Sequence, residues 1–388
     1  MKVSLYTIFR CTNYGAVLQA YALARTLREM LGEDAVDVVN HRMDPRDNHL
    51  LGKITNPNTP WLQRWRNRRK FAARYHRPDL FEARREKTIR LIDDAIRPTP
   101  RLYKSPAELR ELPPCSTVVV GSDQVWNPAL NHDFGHNQYL AADLPDGQDR
   151  VAYAASFGVS ELPESCRGQY RAALARFRRI TVREETGARI VRELLGEEAP
   201  SPEVVLDPTL LLSADAWRTA VAADRQAPSS RYIAAYWVRT VTQADVDALA
   251  RVARDAGLPV RLMSAGPLPR LDFPADVVPC VDADPFDFVR TVEGSSGVVT
   301  DSFHGLQFAT LFERPFLALG DLSNPSGNAS RLVDFCARYG LARCVADISQ
   351  FRDSEGGACR CGDFSGFDGK ALDADRSRSL GALKGLLP

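Results

Sequence analysis

Residues 295–315 read S-S-G-V-V-T-D-S-F-H-G-L-Q-F-A-T-L-F-E-R-P, and this stretch decides the fold. Val298 and Val299 end a buried parallel strand, while Leu306, Phe308, Ala309, Leu311 and Phe312 follow with helical spacing. Between them lies a polar turn, Thr300-Asp301-Ser302-Phe303-His304-Gly305, at the edge of an open α/β sheet where ligands bind. Ser302 is a natural N-cap, the helix amino end favours an anion, and Gly305 admits a close approach to the backbone. His304 is the one group in the turn that titrates near neutral pH. Taken alone, the turn also reads as a capped helix whose histidine satisfies a carbonyl.

The same unit opens the chain. Residues 2–9 predict a strand, 16–31 an amphipathic helix and 35–40 a second strand, which is the start of a doubly wound parallel domain. Their loop holds Asn13, Tyr14 and Gly15, with Asn13 placed to cap and Gly15 to admit a ligand; an ordinary βα turn fits it as well. Residues 116–120 predict a buried strand that delivers Gly121-Ser122-Asp123-Gln124-Val125-Trp126-Asn127-Pro128. These polar groups suit a sugar, stacked on Trp126 and bonded by Asp123, Gln124 and Asn127, or else a self-satisfied turn. Arg183 ends the predicted strand 179–182, where a guanidinium can fork onto phosphate or carboxylate or pair with Glu184 or Asp207. Strand 203–210 runs into a hinge, and from Arg231 the alternation restarts, giving a second Rossmann-like domain. Ser330-Arg331 begins a late helix as a further candidate anion clamp. The domain reading is therefore 1–207, 208–363, and a tail 364–388 with a short helix.

Composition narrows the function classes. The 388 residues carry 50 Lys+Arg against 49 Asp+Glu, with 44% hydrophobic and 26% charged residues, so the chain is globular and has no global bias toward polyanions. The charge is uneven. Between Trp61 and Arg90, 11 basic residues oppose three acidic ones, a net +8, inside a predicted helical insertion at about 44–99 covering the first domain. That segment fits a solvated helix face, a surface for anionic lipid or a diphosphate-bearing acceptor, or nucleic acid. The eight cysteines are scattered, Cys359 and Cys361 being the one close pair, which suits free thiols better than a metal site. The first residues lack a signal-peptide pattern, and no apolar run reaches membrane-span length. We read the protein as cytoplasmic, with peripheral contact at the inner membrane face open through residues 61–90.

Seven strings in order, N-Y-G-A-V-L-Q-A-Y-A-L from Asn13, G-S-D-Q-V-W-N-P from Gly121, Y-A-A-S-F-G from Tyr153, V-R-E-E-T-G from Val182, V-L-D-P-T-L-L-L from Val205, T-D-S-F-H-G from Thr300 and N-A-S-R-L from Asn328, resemble the polysaccharide pyruvyl transferase family. The resemblance implies two Rossmann-like domains facing a cleft in a GT-B-like frame. It also implies transfer of the pyruvyl unit of phosphoenolpyruvate, a co-substrate, to a sugar, glycan or lipid-linked sugar. The product is a ketal, phosphate leaves, and no other cofactor, metal or nucleic acid takes part. His304 falls on the position of the general acid, with Asp301 and Asp123 as the carboxylates beside the reaction. Arg183 falls on a donor-binding position; from their own places in the chain we expect Ser302, Phe303, Gly305, Ser330 and Arg331 on the donor side as well, and Asn13, Tyr14, Gly15, Ser122, Gln124, Trp126 and Asn127 on the acceptor side. Some members place an arginine two residues before the histidine; Ser302 stands there in this chain, which hands the donor phosphate to Arg331. The competing readings are a nucleotide-sugar-dependent glycosyltransferase on the same frame and a non-catalytic anion-binding protein.

Overall fold

Twelve strands form two six-stranded, wholly parallel sheets in a computed structural model, which describes residues 2–41, 60–130, 137–196, 201–222, 230–323, 328–353 and 364–387. The first sheet has the order β2-β1-β3-β4-β5-β6, with β1 at Val3–Tyr6, β2 at Val36–Val38, β3 at Thr117–Val120, β4 at Asp149–Ala155, β5 at Arg179–Val182 and β6 at Glu203–Val204. The second has the order β12-β11-β10-β7-β8-β9, with β7 at Ile233–Trp237, β8 at Val260–Ser264, β9 at Val277–Pro279, β10 at Gly297–Thr300, β11 at Phe316–Gly320 and β12 at Val345–Asp347. Each reverses its winding once, between β1 and β3 and between β7 and β10, and crevices for ligands form at such points. The valine runs follow from this burial: all four residues of β3 and all four of β10 are buried, so neither strand alternates.

Local chemistry sets the helix starts. Asn13 caps Tyr14–Leu31 by accepting from Gly15 N and Ala16 N, Thr242 and Asp245 form a capping box on Gln243–Ala256, and Asp284 and Asp287 form another on Pro285–Glu293. The helix Phe303–Leu311 has every residue buried. Its Leu306 and Phe308 share a core with Tyr14, Leu18 and Ala22 of the first domain, so the joint between the two sheets is itself a hydrophobic core. The segment after β6, expected as a hinge, is a buried turn at Pro208–Leu210.

Two segments differ from the sequence reading. The basic insertion does not simply cover the first domain. Its helices Trp61–Arg74 and Pro78–Leu91 place Phe71 and Phe81 in the core of the second sheet, while Leu91 and the following Ile92 and Ile96 turn back onto the first. The tail helix is not short: Gly369–Leu386 spans 18 residues and returns to the first sheet, where Ser379 Oγ accepts from Leu206 N at 2.9 Å and Leu383 and Leu386 are buried. Periodicity reported these helices as amphipathic but not which sheet they would meet. Six of the eight cysteines are described, and Cys359 and Cys361 lie outside the described residues.

Arg84 ties the insertion to both domains. Buried, it donates from Nη1 to Ser264 O at 2.7 Å and from Nη2 to Ala265 O at 2.9 Å and Thr12 O at 2.5 Å, with its guanidinium 4.3 Å from the Tyr14 ring centre. Bonds to a charged donor contribute about 1.5–3 kcal/mol each. Arg84→Ala leaves three buried carbonyls without this donor and should cost about 3 kcal/mol or more in denaturant unfolding, whereas replacing exposed Arg66 should leave stability unchanged.

His41, fully buried after β2, lies 3.0 Å from Val39 O and 2.7 Å from Tyr139 Oη. Burial pushes its pKa down from 6.5 to about 4. The unfolded chain therefore binds a proton that the folded chain refuses between those two values, and stability falls as pH drops through that window. At 1.36 kcal/mol per unit the loss is about 3 kcal/mol, and His41→Asn should flatten that part of the stability profile from pH 6.5 to 4.

Candidate active site

Loops from the carboxyl ends of both sheets converge on Asp207, just after β6. Its Oδ2 takes Arg183 Nη1 at 2.8 Å and Ser122 Oγ at 3.2 Å, and His304 Nε2 stands 3.4 Å away. Its Oδ1 accepts from Thr209 N at 3.0 Å and Thr209 Oγ1 at 2.8 Å. The Arg183 and Asp207 side chains are 1% and 0% exposed. Burial alone would raise the Asp207 carboxyl, but the neighbouring His304 and Arg183 hold it well below the usual carboxylate range. The His304–Asp207 contact is an ion-pair separation whose geometry falls short of a hydrogen bond.

His304 belongs to the second domain yet is packed against the first. A Cβ on Gly15 would lie 2.1 Å from His304 Nδ1, so Gly15 is what lets the helix Tyr14–Leu31 bring its amino end onto the imidazole. The expected role of Gly15, admitting a ligand, is taken by this side chain. Nε2 faces Asp207 and Nδ1 faces the Asn13–Gly15 turn, an arrangement that orients the ring from both sides.

Arg183 faces three carboxylates: Asp207, then Asp123 Oδ1 at 3.5 Å and Glu184 Oε2 at 3.6 Å. Burial works against its charge, and these carboxylates more than offset that. Asp123 has φ 67°, in the left-handed region uncommon for residues other than glycine, and bridges to Ala155 beside an irregularity of β4. The Phe303 ring lies 5.2 Å from the Arg183 guanidinium and 5.7 Å from that of Arg331. Burial, and after it the neighbouring Arg183, push Arg331 down to about 10. A cavity of about 310 Å³ opens here, with Arg183, Glu184, Asp207, Phe303, Gln307 and Arg331 in its walls and His304 outside them.

The structure thus brings His304, Arg183, Asp123, Ser122, Phe303 and Arg331 together. It assigns other expected residues elsewhere. Trp126 is wholly buried against Phe157 and Phe177, with Nε1 donating to Tyr139 O, so it offers no face for a sugar. Tyr14 donates to Ala283 O at 2.7 Å and stacks on Tyr236 and Phe288, joining the domains instead of meeting solvent. Asp301 accepts from Val238 N at 2.6 Å and from Arg239 Nε at 2.8 Å, which makes it a clamp on the loop after β7. Asn127 Nδ2 donates to Gln124 Oε1 at 2.6 Å, pairing the two expected sugar-binding amides with each other. Ser302 caps Gly305 N at 3.2 Å, and Gly305 passes so near Thr300 that a Cβ would fall 2.4 Å from its Oγ1. Ser330 is half-buried on the first turn of Asn328–Arg338.

Asp207 was legible only as a rival partner for Arg183; its place beside His304 was missed. The available signal was an aspartate at the carboxyl end of a strand, in the string D-P-T. Among the described residues no group of three or more His, Cys, Asp and Glu side chains is placed to hold a metal ion. None of the described helices is long and apolar enough to cross a membrane.

Two parallel-sheet domains joined over a buried histidine, aspartate and arginine define an α/β protein with an interdomain site. A sequence model of the polysaccharide pyruvyl transferase family matches residues 13–323, and the chain belongs to that family. Solved structures with a similar fold include the S. aureus MnaA–UDP co-structure, at 12% identity over 100% of this chain and 98% of that one with a TM-score of 0.48. A putative UDP-N-acetylglucosamine 2-epimerase from Listeria monocytogenes matches at 14%, 99%, 96% and 0.47 on the same measures, and E. coli ADP-heptose lps heptosyltransferase II at 15%, 100%, 98% and 0.36. Among curated proteins the sequence has no match.

Gly15→Ala should drive the imidazole or the helix amino end out of place at a cost of about 1–3 kcal/mol. Gly168→Ala, on a helix where a Cβ meets nothing within 4 Å, should instead stabilise by about 0.5–1 kcal/mol; chemical denaturation of the two variants checks the contrast.

Proposed function

We propose that this protein transfers the pyruvyl unit of phosphoenolpyruvate to two hydroxyls of a sugar or glycan, forming a cyclic ketal and releasing phosphate. The observation that carries the reading is the buried His304–Asp207–Arg183 cluster at the joint of the two sheets, in a chain of this family.

Protonation of the donor methylene makes its enol carbon electrophilic, and a histidinium can supply that proton. Asp207 is held as a carboxylate 3.4 Å from His304 Nε2, where it can pair with an imidazolium as the proton moves. The first sugar hydroxyl then bonds to the enol carbon, its proton returning to the imidazole, and Asp123 stands near as an acceptor. Cleavage of the C–O bond expels phosphate, and the second hydroxyl closes the ketal while its proton leaves with the phosphate.

The donor carries a carboxylate and a phosphate. Arg183 and Arg331 lie over one Phe303 ring, and burial, then Arg183, depresses Arg331, so an anion beside Arg331 would offset that repulsion and gain an attraction. The cavity beside them is the place for it, which agrees with Arg331 taking the phosphate where Ser302 replaces an arginine. Asp123, Ser122 and the Asn13 turn stand on the first-domain side, where the acceptor would enter.

Incubation with phosphoenolpyruvate and a panel of nucleotide- or lipid-linked sugars should release phosphate and add a pyruvyl mass to one acceptor. His304→Gln, which keeps a hydrogen-bonding side chain without a titrating proton, should lower that turnover by at least about a hundredfold. Wild-type turnover in the variant would remove His304 from the proton transfer.

A further inference from the structure

The helix Trp61–Arg74 meets the body through its last turn, where Phe71 enters the second-sheet core and Ala72 O accepts from Arg270 Nε. Of its residues only Phe71 is buried, while Trp61, Leu62 and Trp65 are 72%, 47% and 49% exposed. With 3.6 residues per turn, Trp61, Leu62, Trp65 and Ala72 fall on one stripe, and Phe71 anchors the helix from another side. Arg64 and Arg68 border the stripe on one side, and Arg66 and Lys70 on the other. Arg69 lies within the stripe but folds its guanidinium over the Trp65 ring at 4.8 Å. The helix contains no acidic residue.

We infer that this helix docks on a bilayer containing anionic phospholipid. The order of groups across the exposed face decides the partner. Large apolar side chains occupy its middle and cations both edges, which matches the depth order of a bilayer boundary, with indole and leucine among the upper acyl chains and ammonium and guanidinium groups at the phosphates. A nucleic acid backbone asks for the reverse, with cations along the middle of the contact. Two exposed tryptophans on one stripe also suit the interfacial layer, where the amphipathic ring is favoured. The inference is independent of the reaction proposed above.

The protein supplies its own probe. Of its five tryptophans, Trp126, Trp217 and Trp237 are 0% exposed, so a change in indole emission on binding reports Trp61 and Trp65. The full-length protein should co-sediment with vesicles of mixed phosphatidylcholine and phosphatidylglycerol, with a blue shift in emission, and not with phosphatidylcholine alone. Binding should weaken as salt rises. The double variant Trp61→Ser/Trp65→Ser, altered only at exposed positions, should lose binding by at least about tenfold with unchanged unfolding behaviour. Arg66→Gln/Lys70→Gln should lose affinity and salt dependence together. No binding to the mixed vesicles, binding undiminished in the tryptophan variant, or tighter binding to duplex DNA than to the vesicles would each overturn the inference.

Discussion

Everything at the joint of this protein depends on one buried carboxylate. Asp207 has no exposed surface, so its charge is sustained by what surrounds it: Arg183 at 2.8 Å, the hydroxyls of Ser122 and Thr209, and the His304 imidazole from the other domain. A buried charge is costly unless its lone pairs are used, and here four different segments meet to use them. The carboxylate connects both sheets electrostatically at a point where the rest of the joint is hydrophobic.

The fold explains how those segments come together. Parallel strands send their carboxyl ends to one edge of each sheet, and the two edges face each other, so the turns after β1, β3, β5, β6 and β10 arrive at one place. Rigid contacts then set the spacing. Tyr14 stacks between domains, Gly15 leaves room for the imidazole, and Arg84 draws the loop at Thr12 to the end of β8. The helix Gly369–Leu386 recrosses to the first sheet, fastening a second side of the joint.

The sequence carried the strands and caps because these are local. Valine runs betray strands buried on both faces, and Asn13 and Ser302 announce helix starts within three residues. Arg183 and His304 were legible as strand-end polar groups, and both stand against Asp207. What failed depended on distant packing. Trp126 follows a strand like a binding aromatic, yet rings from Phe157 and Phe177 enclose it. Arg84 is one basic residue among eleven in its segment, and only the fold separates the buried clamp from its solvated neighbours. Asp207 and His304 lie 97 positions apart, a distance no short motif spans.

The charge of Asp207 is the quantity to remove. Asp207→Asn keeps the shape of the side chain while leaving buried Arg183 without its nearest counter-ion, and equilibrium unfolding in denaturant measures the consequence. The account predicts a loss of at least about 3 kcal/mol, the cost of breaking a buried pair from one side. Unfolding free energy equal to that of the unaltered protein would show that the joint holds without the carboxylate, and would contradict it.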